Sequence, residues 1–166
     1  MSEKFYSAEN SQYSINHPNW HIEDSEWKAI QILKMLKRNP ISFKTIAEIG
    51  CGAGEILNQL YSKLSDGIHF TGYDISIDAI NMAKQREKER LEFRHEDLLA
   101  TNEKFDLLLM IDVFEHIEDY LGFLKSCKQR AKNTIFHIPL DISVETILRN
   151  RLIFGRKRGG HLHYFM

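Results

Sequence analysis

The chain has 166 residues, 43% of them hydrophobic and 27% charged, which is enough for one globular domain with a sizeable core. Its formal net charge of −1 argues against a protein that binds nucleic acid through its overall charge. We find no signal peptide and no apolar run of about 18 residues, so we expect neither secretion nor membrane spanning. The two cysteines, Cys51 and Cys127, match no metal-binding spacing and favour a cytoplasmic location.

The first part of the chain differs from the rest. Residues 1–22 are polar with scattered aromatic side chains, and we expect an irregular lead segment there. Isoleucine and leucine at helical spacing then predict an amphipathic helix over 23–38, which an Asn-Pro pair ends. We therefore divide the chain into a lead with a cap helix, 1–38, and a main domain, 39–166.

Strand-like and helix-like patterns alternate through the main domain. Predicted strands cover 45–49, 69–74, 91–95, 105–111 and 134–138. Predicted helices cover 54–64, 77–90 with Ser76 as cap, 118–131 with Leu121, Leu124 and Cys127 inward, and 143–154. This alternation is typical of a Rossmann-like, doubly wound α/β fold, with a mainly parallel sheet and helices on both faces. A ligand would bind at the carboxyl ends of the strands.

A run of small residues, Gly50-Cys51-Gly52-Ala53-Gly54, separates the first strand from the next helix. Such a run allows a sharp turn and the close approach of a ligand to the backbone. Glu48 stands two residues before it, and Asp74 follows the next strand-like run. An acid in the position of Asp74 can accept hydrogen bonds from both ribose hydroxyls. The pattern therefore predicts a site for an adenosine-containing cofactor.

Two features favour S-adenosylmethionine over a dinucleotide as that cofactor. Dinucleotide binders usually space their glycines G-x-G-x-x-G/A, whereas position 55 is Glu55 and the third glycine is Gly54. A carboxylate at Glu48 would repel a pyrophosphate, but it would attract the ammonium group of a methionine moiety.

Four segments in this order resemble motifs of the class I S-adenosylmethionine-dependent methyltransferases: EIGCGAG, YDIS, HEDLL and FDLLLMIDVFEHIED. The resemblance covers roughly residues 20 to 165. It implies this family's fold, S-adenosylmethionine as the cofactor and S-adenosylhomocysteine as the product. The residues implied to bind the cofactor are Glu48, Gly50, Cys51, Gly52, Gly54, Asp74, Ile75, Asp97, Leu98 and Asp112.

The sheet of this family normally continues with two further strands, one of them antiparallel. Only five strands are visible in the pattern here, so the C-terminal strands are apparently missing and we expect a truncated fragment. The alternative is a homodimer or other assembly in which a neighbouring chain covers the open edge of the fifth strand.

The loop after the fourth strand is where we expect catalytic groups. Methyl transfer needs alignment of donor and acceptor, and it needs a base only where an acceptor must lose a proton. In one interpretation Asp112 and Glu115 cap the next helix and His116 packs beneath the cofactor. In a second, His116 or a later histidine such as His161 acts as a general base. In a third, Asp112, Glu115 and His116, with His161 or His163, bind Mg²⁺ or Mn²⁺.

This third interpretation rests on a resemblance to the E-x-x-E-H metal motif of small-RNA 2′-O-methyltransferases and of some ubiquinone-pathway O-methyltransferases. The sequence departs from that motif because Asp112 replaces its first glutamate. We expect no resident metal.

Other residues have simpler interpretations. His137, in the fifth predicted strand, is expected to be a hydrogen-bonded core histidine, although a strand end could also face the acceptor. Cys51 is expected to be a small loop residue rather than a nucleophile. Trp20 and Trp27 fit either the core or an acceptor pocket. The basic stretch 149–158 is either a solvated lid or a site for an anionic acceptor.

We therefore expect an enzyme that transfers a methyl group from S-adenosylmethionine to a hydroxyl or amine of a small-molecule acceptor. One alternative is a metal-dependent RNA 2′-O-methyltransferase. Another is a non-catalytic module with the methyltransferase fold that binds the cofactor or a partner protein. A nucleic-acid partner is not expected, because the chain lacks an excess of positive charge.

Overall fold

The computed structural model describes residues 12–139 together with Ile142, Leu162, His163 and Phe165. The described helices and strands are α1 (Gln12–Asn16), α2 (Ile22–Arg38), β1 (Thr45–Ile49), α3 (Glu55–Lys63), β2 (His69–Asp74), α4 (Ile77–Ala83), β3 (Leu91–His95), β4 (Phe105–Ile111), α5 (Tyr120–Lys128) and β5 (Ala131–His137). Short 3₁₀ turns cover Lys84–Arg86, Leu98–Ala100 and Phe114–His116.

The five strands form one sheet in the order β3-β2-β1-β4-β5, and every neighbouring pair is parallel. The strand order reverses between β1 and β4, so the carboxyl ends of these two strands flank a crevice. The predicted Rossmann-like α/β fold is confirmed. In the described residues no helix combines the length and the apolar character needed to cross a membrane.

Strand β4 shows why the sheet is buried on both faces. Leu107, Leu109 and Ile111 belong to the core that α2, α3 and α4 cover. Leu108 and Met110, on the other face, belong to the core that α5 covers. A strand with two buried faces has to be apolar at consecutive positions, which explains the uninterrupted run in the sequence.

The predicted bounds of β1 to β4 are confirmed, whereas the bounds around α5 and β5 differ from the prediction. Helix α5 begins after Asp119, whose side chain accepts a hydrogen bond from the backbone N–H of Gly122. The helix ends at Lys128, and β5 begins at Ala131, where it pairs with Phe105. The polar residues between the two elements gave no apolar pattern that could locate the boundary.

The prediction that Leu121 faces inward is wrong, because 59% of this residue is exposed. The buried face of α5 instead runs through Tyr120, Phe123, Leu124 and Cys127, at the spacing of one helical face. Leu124 and Cys127 were predicted correctly.

Two further helix predictions need correction. Ser76 caps α4 as expected, but the helix ends at Ala83 and gives way to a 3₁₀ turn well before Arg90. The lead segment is not wholly irregular, because Gln12–Asn16 is helical. The helix predicted over 143–154 lies outside the described residues.

Candidate functional site

A cavity of about 400 Å³ opens at the carboxyl ends of β1, β2 and β4. Of the ten residues predicted to bind the cofactor, nine line it: Glu48, Gly50, Cys51, Gly52, Asp74, Ile75, Asp97, Leu98 and Asp112. The tenth, Gly54, belongs to the same loop but does not line the cavity. The parallel strands thus bring together residues that are up to 64 positions apart in sequence.

The loop after β1 depends on glycine at position 54. Gly54 has φ +77°, a backbone conformation that residues with a side chain rarely adopt. A Cβ atom at this position would also lie only 2.5 Å from the ring of Phe93 on β3. Gly50 and Gly52 also have positive φ, so the turn predicted from the run of small residues is confirmed.

Asp74 joins the end of β2 to this loop. Its Oδ2 atom accepts a hydrogen bond from the Gly52 N–H at 2.9 Å, and its Oδ1 atom accepts one from the Ser76 N–H at 2.8 Å. Burial raises the pKa of Asp74, and these two N–H donors oppose that increase. A carboxylate has about four acceptor positions on its two oxygens, so Asp74 can bind a ligand while it holds the loop.

Glu48 lies at the base of the cavity and is 1% exposed. Among the described residues, none forms a hydrogen bond with its Oε2 atom. Burial raises the pKa of Glu48 well above its ordinary value, and the charge of Lys28 opposes this shift. A buried carboxylate without such a partner is costly, so a cationic or hydrogen-donating ligand group would stabilise it.

The carboxylates give the cavity its charge. Its lining includes the acidic residues Glu48, Glu55, Asp74, Glu96, Asp97, Asp112 and Glu118, whereas Lys28 is the single lysine or arginine among the described lining residues. Such a lining suits a ligand that carries positive charge better than it suits a pyrophosphate.

The predicted adenine end of the cavity is formed by the loop after β3. Asp97 accepts a hydrogen bond from the Leu99 N–H at 2.8 Å and so fixes the first turn of this loop. Leu98 is fully buried, whereas Ile75 is 38% exposed at the rim. Ile75, Asp97 and Leu98 all line the cavity, so apolar side chains and a carboxylate are available to a planar ligand there.

Residues of the lead segment also line the cavity. Tyr13, Trp20 and His21 line it, and Trp20 packs 3.7 Å from the position that a Cβ atom on Gly52 would take. Burial lowers the pKa of His21. Trp20 therefore belongs to the cavity, whereas Trp27 is 56% exposed and is not a core residue.

Lys28 is a site residue that sequence analysis missed. Its Nζ atom lies 2.8 Å from Asp112 Oδ2, and its side chain is only 12% exposed. Burial alone would raise the pKa of Asp112, but the hydrogen bonds from His137 and Lys28 outweigh it and lower this pKa. A single lysine on an amphipathic helix gives no sequence signal that distinguishes it from a solvated one.

In the loop after β4, some residues line the cavity, whereas Phe114 and Glu115 are buried and do not line it. His116 lines the cavity, and its Nε2 atom lies 3.8 Å from Glu115 Oε1. Because Asp119 is the N-cap of α5, the interpretation in which Asp112 and Glu115 cap this helix is wrong. His116 as a general base stays a prediction.

The metal interpretation finds no support in this arrangement. The two oxygens of Asp112 are directed to His137 and Lys28. His163 Nε2 lies 2.9 Å from the carbonyl oxygen of Ile117. Within residues 12–139 and the four others described, no three acidic, histidine or cysteine side chains form a metal-binding group. His161 and the basic stretch lie outside the described residues.

Burial raises the pKa of the Cys51 thiol well above its ordinary value, so a thiolate is disfavoured there. The cavity as a whole fits an adenosine-containing, positively charged ligand, since it combines Asp74, the unsatisfied oxygen of Glu48 and the glycine loop.

Comparison with known proteins decides the family. The family model described as "Methyltransferase domain" matches residues 47–134, just over half of the chain. The chain belongs to the S-adenosylmethionine-dependent methyltransferases. Membership in this family confirms the predicted class I fold and the predicted cofactor.

Curated relatives of this methyltransferase domain share moderate identity with it. Ubiquinone biosynthesis O-methyltransferase of Actinobacillus pleuropneumoniae serotype 7 is 28% identical over 131 residues, which cover 68% of this chain and 55% of that protein. The corresponding protein of Dinoroseobacter shibae is 36% identical over 100 residues, which cover 57% of this chain and 39% of that protein. The chain thus spans about half the length of the curated relatives it matches.

Solved structures with the same fold include the magnesium protoporphyrin IX methyltransferase of Synechocystis PCC 6803 with bound S-adenosylhomocysteine. Its TM-score is 0.62 at 19% identity, and the match covers 87% of this chain and 64% of that one.

Proposed function

We propose that this methyltransferase domain transfers the methyl group of S-adenosylmethionine to a hydroxyl or amine of a small-molecule acceptor. The observation that carries the proposal is the convergence of Glu48, Asp74 and Asp112 at one cavity beside the glycine loop. When bound, the cofactor supplies a methyl group that its sulfonium has already activated, so the protein has mainly to align it and exclude water.

Different residues of the cavity would bind different parts of the cofactor. Asp74 would accept hydrogen bonds from the ribose hydroxyls while it holds the Gly52 N–H. Glu48 would stabilise the positive charge of the methionine moiety, because its Oε2 atom is buried and lacks a hydrogen-bond partner among the described residues. Ile75 and Asp97 would contact the adenine ring at its face and edge.

The acceptor class is supported by the names of similar proteins. The curated relatives are O-methyltransferases of ubiquinone biosynthesis. A structural neighbour, coclaurine N-methyltransferase with bound N-methylheliamine, methylates nitrogen and shares the fold at a TM-score of 0.53. A small organic acceptor therefore agrees better with these relatives than RNA does. The arrangement of Asp112 against Lys28 likewise gives no support to the metal-dependent RNA alternative.

Titration calorimetry with S-adenosylhomocysteine tests the proposal, with NADH as the control ligand. We expect micromolar binding of S-adenosylhomocysteine alone. Methyl transfer from labelled S-adenosylmethionine to a panel of phenols, alcohols and amines would then identify the acceptor. A folded protein that binds no S-adenosylhomocysteine would contradict the cofactor site, and binding without transfer to any acceptor would favour the non-catalytic module.

A further inference from the structure

A second depression, of about 490 Å³, lies beside the cofactor cavity. It is lined by Asp24, Trp27, Lys28, Asp112, His137, Ile138 and Pro139, and we call it the β5 groove. Lys28 and Asp112 line both spaces, so the groove and the cavity adjoin at this ion pair. A ligand in the β5 groove would therefore lie next to a ligand in the cavity.

His137 and Asp112 form a dyad in the wall of the groove. His137 Nδ1 lies 2.5 Å from Asp112 Oδ1, and the Asp112 N–H donates to the His137 carbonyl oxygen at 3.0 Å. The parallel pairing of Ile111 with His137 brings the two residues together. Asp112 has φ +56°, which is unusual for a residue with a side chain and is often found at functional sites.

The hydrogen bond fixes the chemistry of the imidazole. An ionised Asp112 can only accept, so in the neutral imidazole Nδ1 carries the hydrogen and Nε2 keeps its lone pair. The His137 side chain is 33% exposed in the groove. The charged groups that line the groove are Asp112 beyond β4 and Asp24 and Lys28 on α2. Asp112 would stabilise an imidazolium once Nε2 had accepted a proton.

We propose that His137 is the general base that takes the proton of an acceptor hydroxyl bound in the β5 groove, with Asp112 as its positioning residue. The inference rests on the proposed function and assigns a step within it. The hydroxyl proton passes to His137 Nε2, the acceptor oxygen forms the new bond to the methyl carbon, and the bond from that carbon to sulfur breaks. The electron pair of the broken bond stays on sulfur, which becomes a neutral thioether.

The strength of an imidazole base points to the kind of hydroxyl. Phenols, with a pKa of about 10, can transfer a proton to an imidazole far more readily than aliphatic alcohols can. The groove also offers apolar surface for a ring, because Trp27 packs edge-on against His137 with the ring centroids 5.9 Å apart. Ile138 and Pro139 extend this surface. The acceptor hydroxyl that fits best is therefore phenolic.

Binding of 4-nitrophenol tests this inference without methyl transfer, because its anion absorbs at longer wavelength than the neutral form. The probe is added to protein saturated with S-adenosylhomocysteine, at a pH where the free probe is mostly neutral. We expect the ionisation constant of the bound probe to increase about tenfold, since the imidazolium stabilises the anion. His137→Gln and His137→Asn should abolish the increase. His69→Gln, at the exposed start of β2, three strands away from β5 in the sheet, should retain it.

Nitrogen-15 NMR of labelled histidine provides a second measurement on the unmodified protein. We expect the His137 tautomer with hydrogen on Nδ1, and a shift of Nε2 when 4-nitrophenol is added. The inference would be overturned by a His137 tautomer with hydrogen on Nε2. It would also be overturned if the wild-type protein did not ionise the probe, or if the His137 variants ionised it as fully as the wild type. These results leave the proposed function intact as long as S-adenosylhomocysteine binds. A failure of S-adenosylhomocysteine to bind would overturn both.

Discussion

The backbone N–H of Gly52 donates a hydrogen bond to Asp74 Oδ2 at 2.9 Å, which ties the loop after β1 to the end of β2. The residue expected to hold the cofactor ribose therefore also holds the loop that surrounds the cofactor. A substitution of Asp74 can therefore weaken cofactor binding in two ways: through the lost contact with the ribose or through the lost hydrogen bond to the loop.

Asp74→Asn allows the effects on ligand affinity and on fold stability to be measured side by side. The amide keeps one acceptor oxygen but loses the charge, so we expect the Kd for S-adenosylhomocysteine to increase about tenfold or more. We expect the free energy of unfolding to decrease by about 1 to 2 kcal/mol, because one backbone donor loses its acceptor. Calorimetry and urea unfolding measure the two effects. Asp66→Asn, at an exposed position after α3, is the control. Unchanged affinity would contradict the ribose assignment.

Gly54→Ala should destabilise the fold severely. The new Cβ atom would have to occupy a left-handed backbone position and lie 2.5 Å from the Phe93 ring. Gly67 also has positive φ, but no atom lies within 4 Å of the place where its Cβ atom would stand, so Gly67→Ala isolates the backbone contribution. In urea unfolding, we expect the free energy of unfolding to decrease by about 1 kcal/mol for Gly67→Ala. For Gly54→Ala we expect it to decrease by roughly 2 kcal/mol more. Equal losses would show that the ring moves aside freely.

Glu48→Gln should change how stability and binding depend on pH. The pKa of Glu48 is higher in the folded than in the unfolded chain, so its favourable contribution is present at low pH and is lost as pH rises through the folded pKa. Between the unfolded and the folded pKa, ionisation of Glu48 should lower the free energy of unfolding of the wild-type protein by up to about 1.4 kcal/mol per pH unit. The variant should lack this dependence. Urea unfolding over a range of pH measures the difference.

The same variant tests the role of Glu48 in binding. If a ligand cation stabilises the ionised carboxylate, wild-type protein should release a proton when it binds S-adenosylhomocysteine at a pH where free Glu48 is protonated. Calorimetry in buffers of different ionisation enthalpy detects this proton. Glu26→Gln, at an exposed position on α2, should behave like the wild type. Proton release by the Glu48→Gln variant would contradict the assignment.

The sequence was most informative where one local structure needs particular residue types. The apolar run of β4 is typical of a strand buried on both faces, and its bounds were predicted correctly. The glycine loop and Asp74 were recognisable because a turn and a ribose-binding acid each need particular residue types. Nine of the ten predicted cofactor residues consequently line one cavity.

What the sequence could not show depends on contacts between distant elements. Lys28 on α2 reaches Asp112 only because the helix packs over the sheet, and no local pattern encodes that approach. His137 was predicted to be a hydrogen-bonded core histidine. It does form a hydrogen bond, but its side chain is 33% exposed because it lies at the last position of β5 beside the groove. The start of β5 was missed because the polar residues Lys132 and Asn133 follow Ala131 and interrupt any apolar run.

Phe93 connects features of the fold that are separate in sequence. Its ring occupies the space beside both Gly54 in the loop and Gly72 within β2, where an added Cβ atom would lie 2.5 Å from it in each case. A larger residue at either glycine would demand a smaller one at position 93, and a smaller residue at 93 would leave a void beneath the loop. The steric contact therefore couples the side-chain sizes that fit at these three positions, two of which lie outside the segments that resemble family motifs.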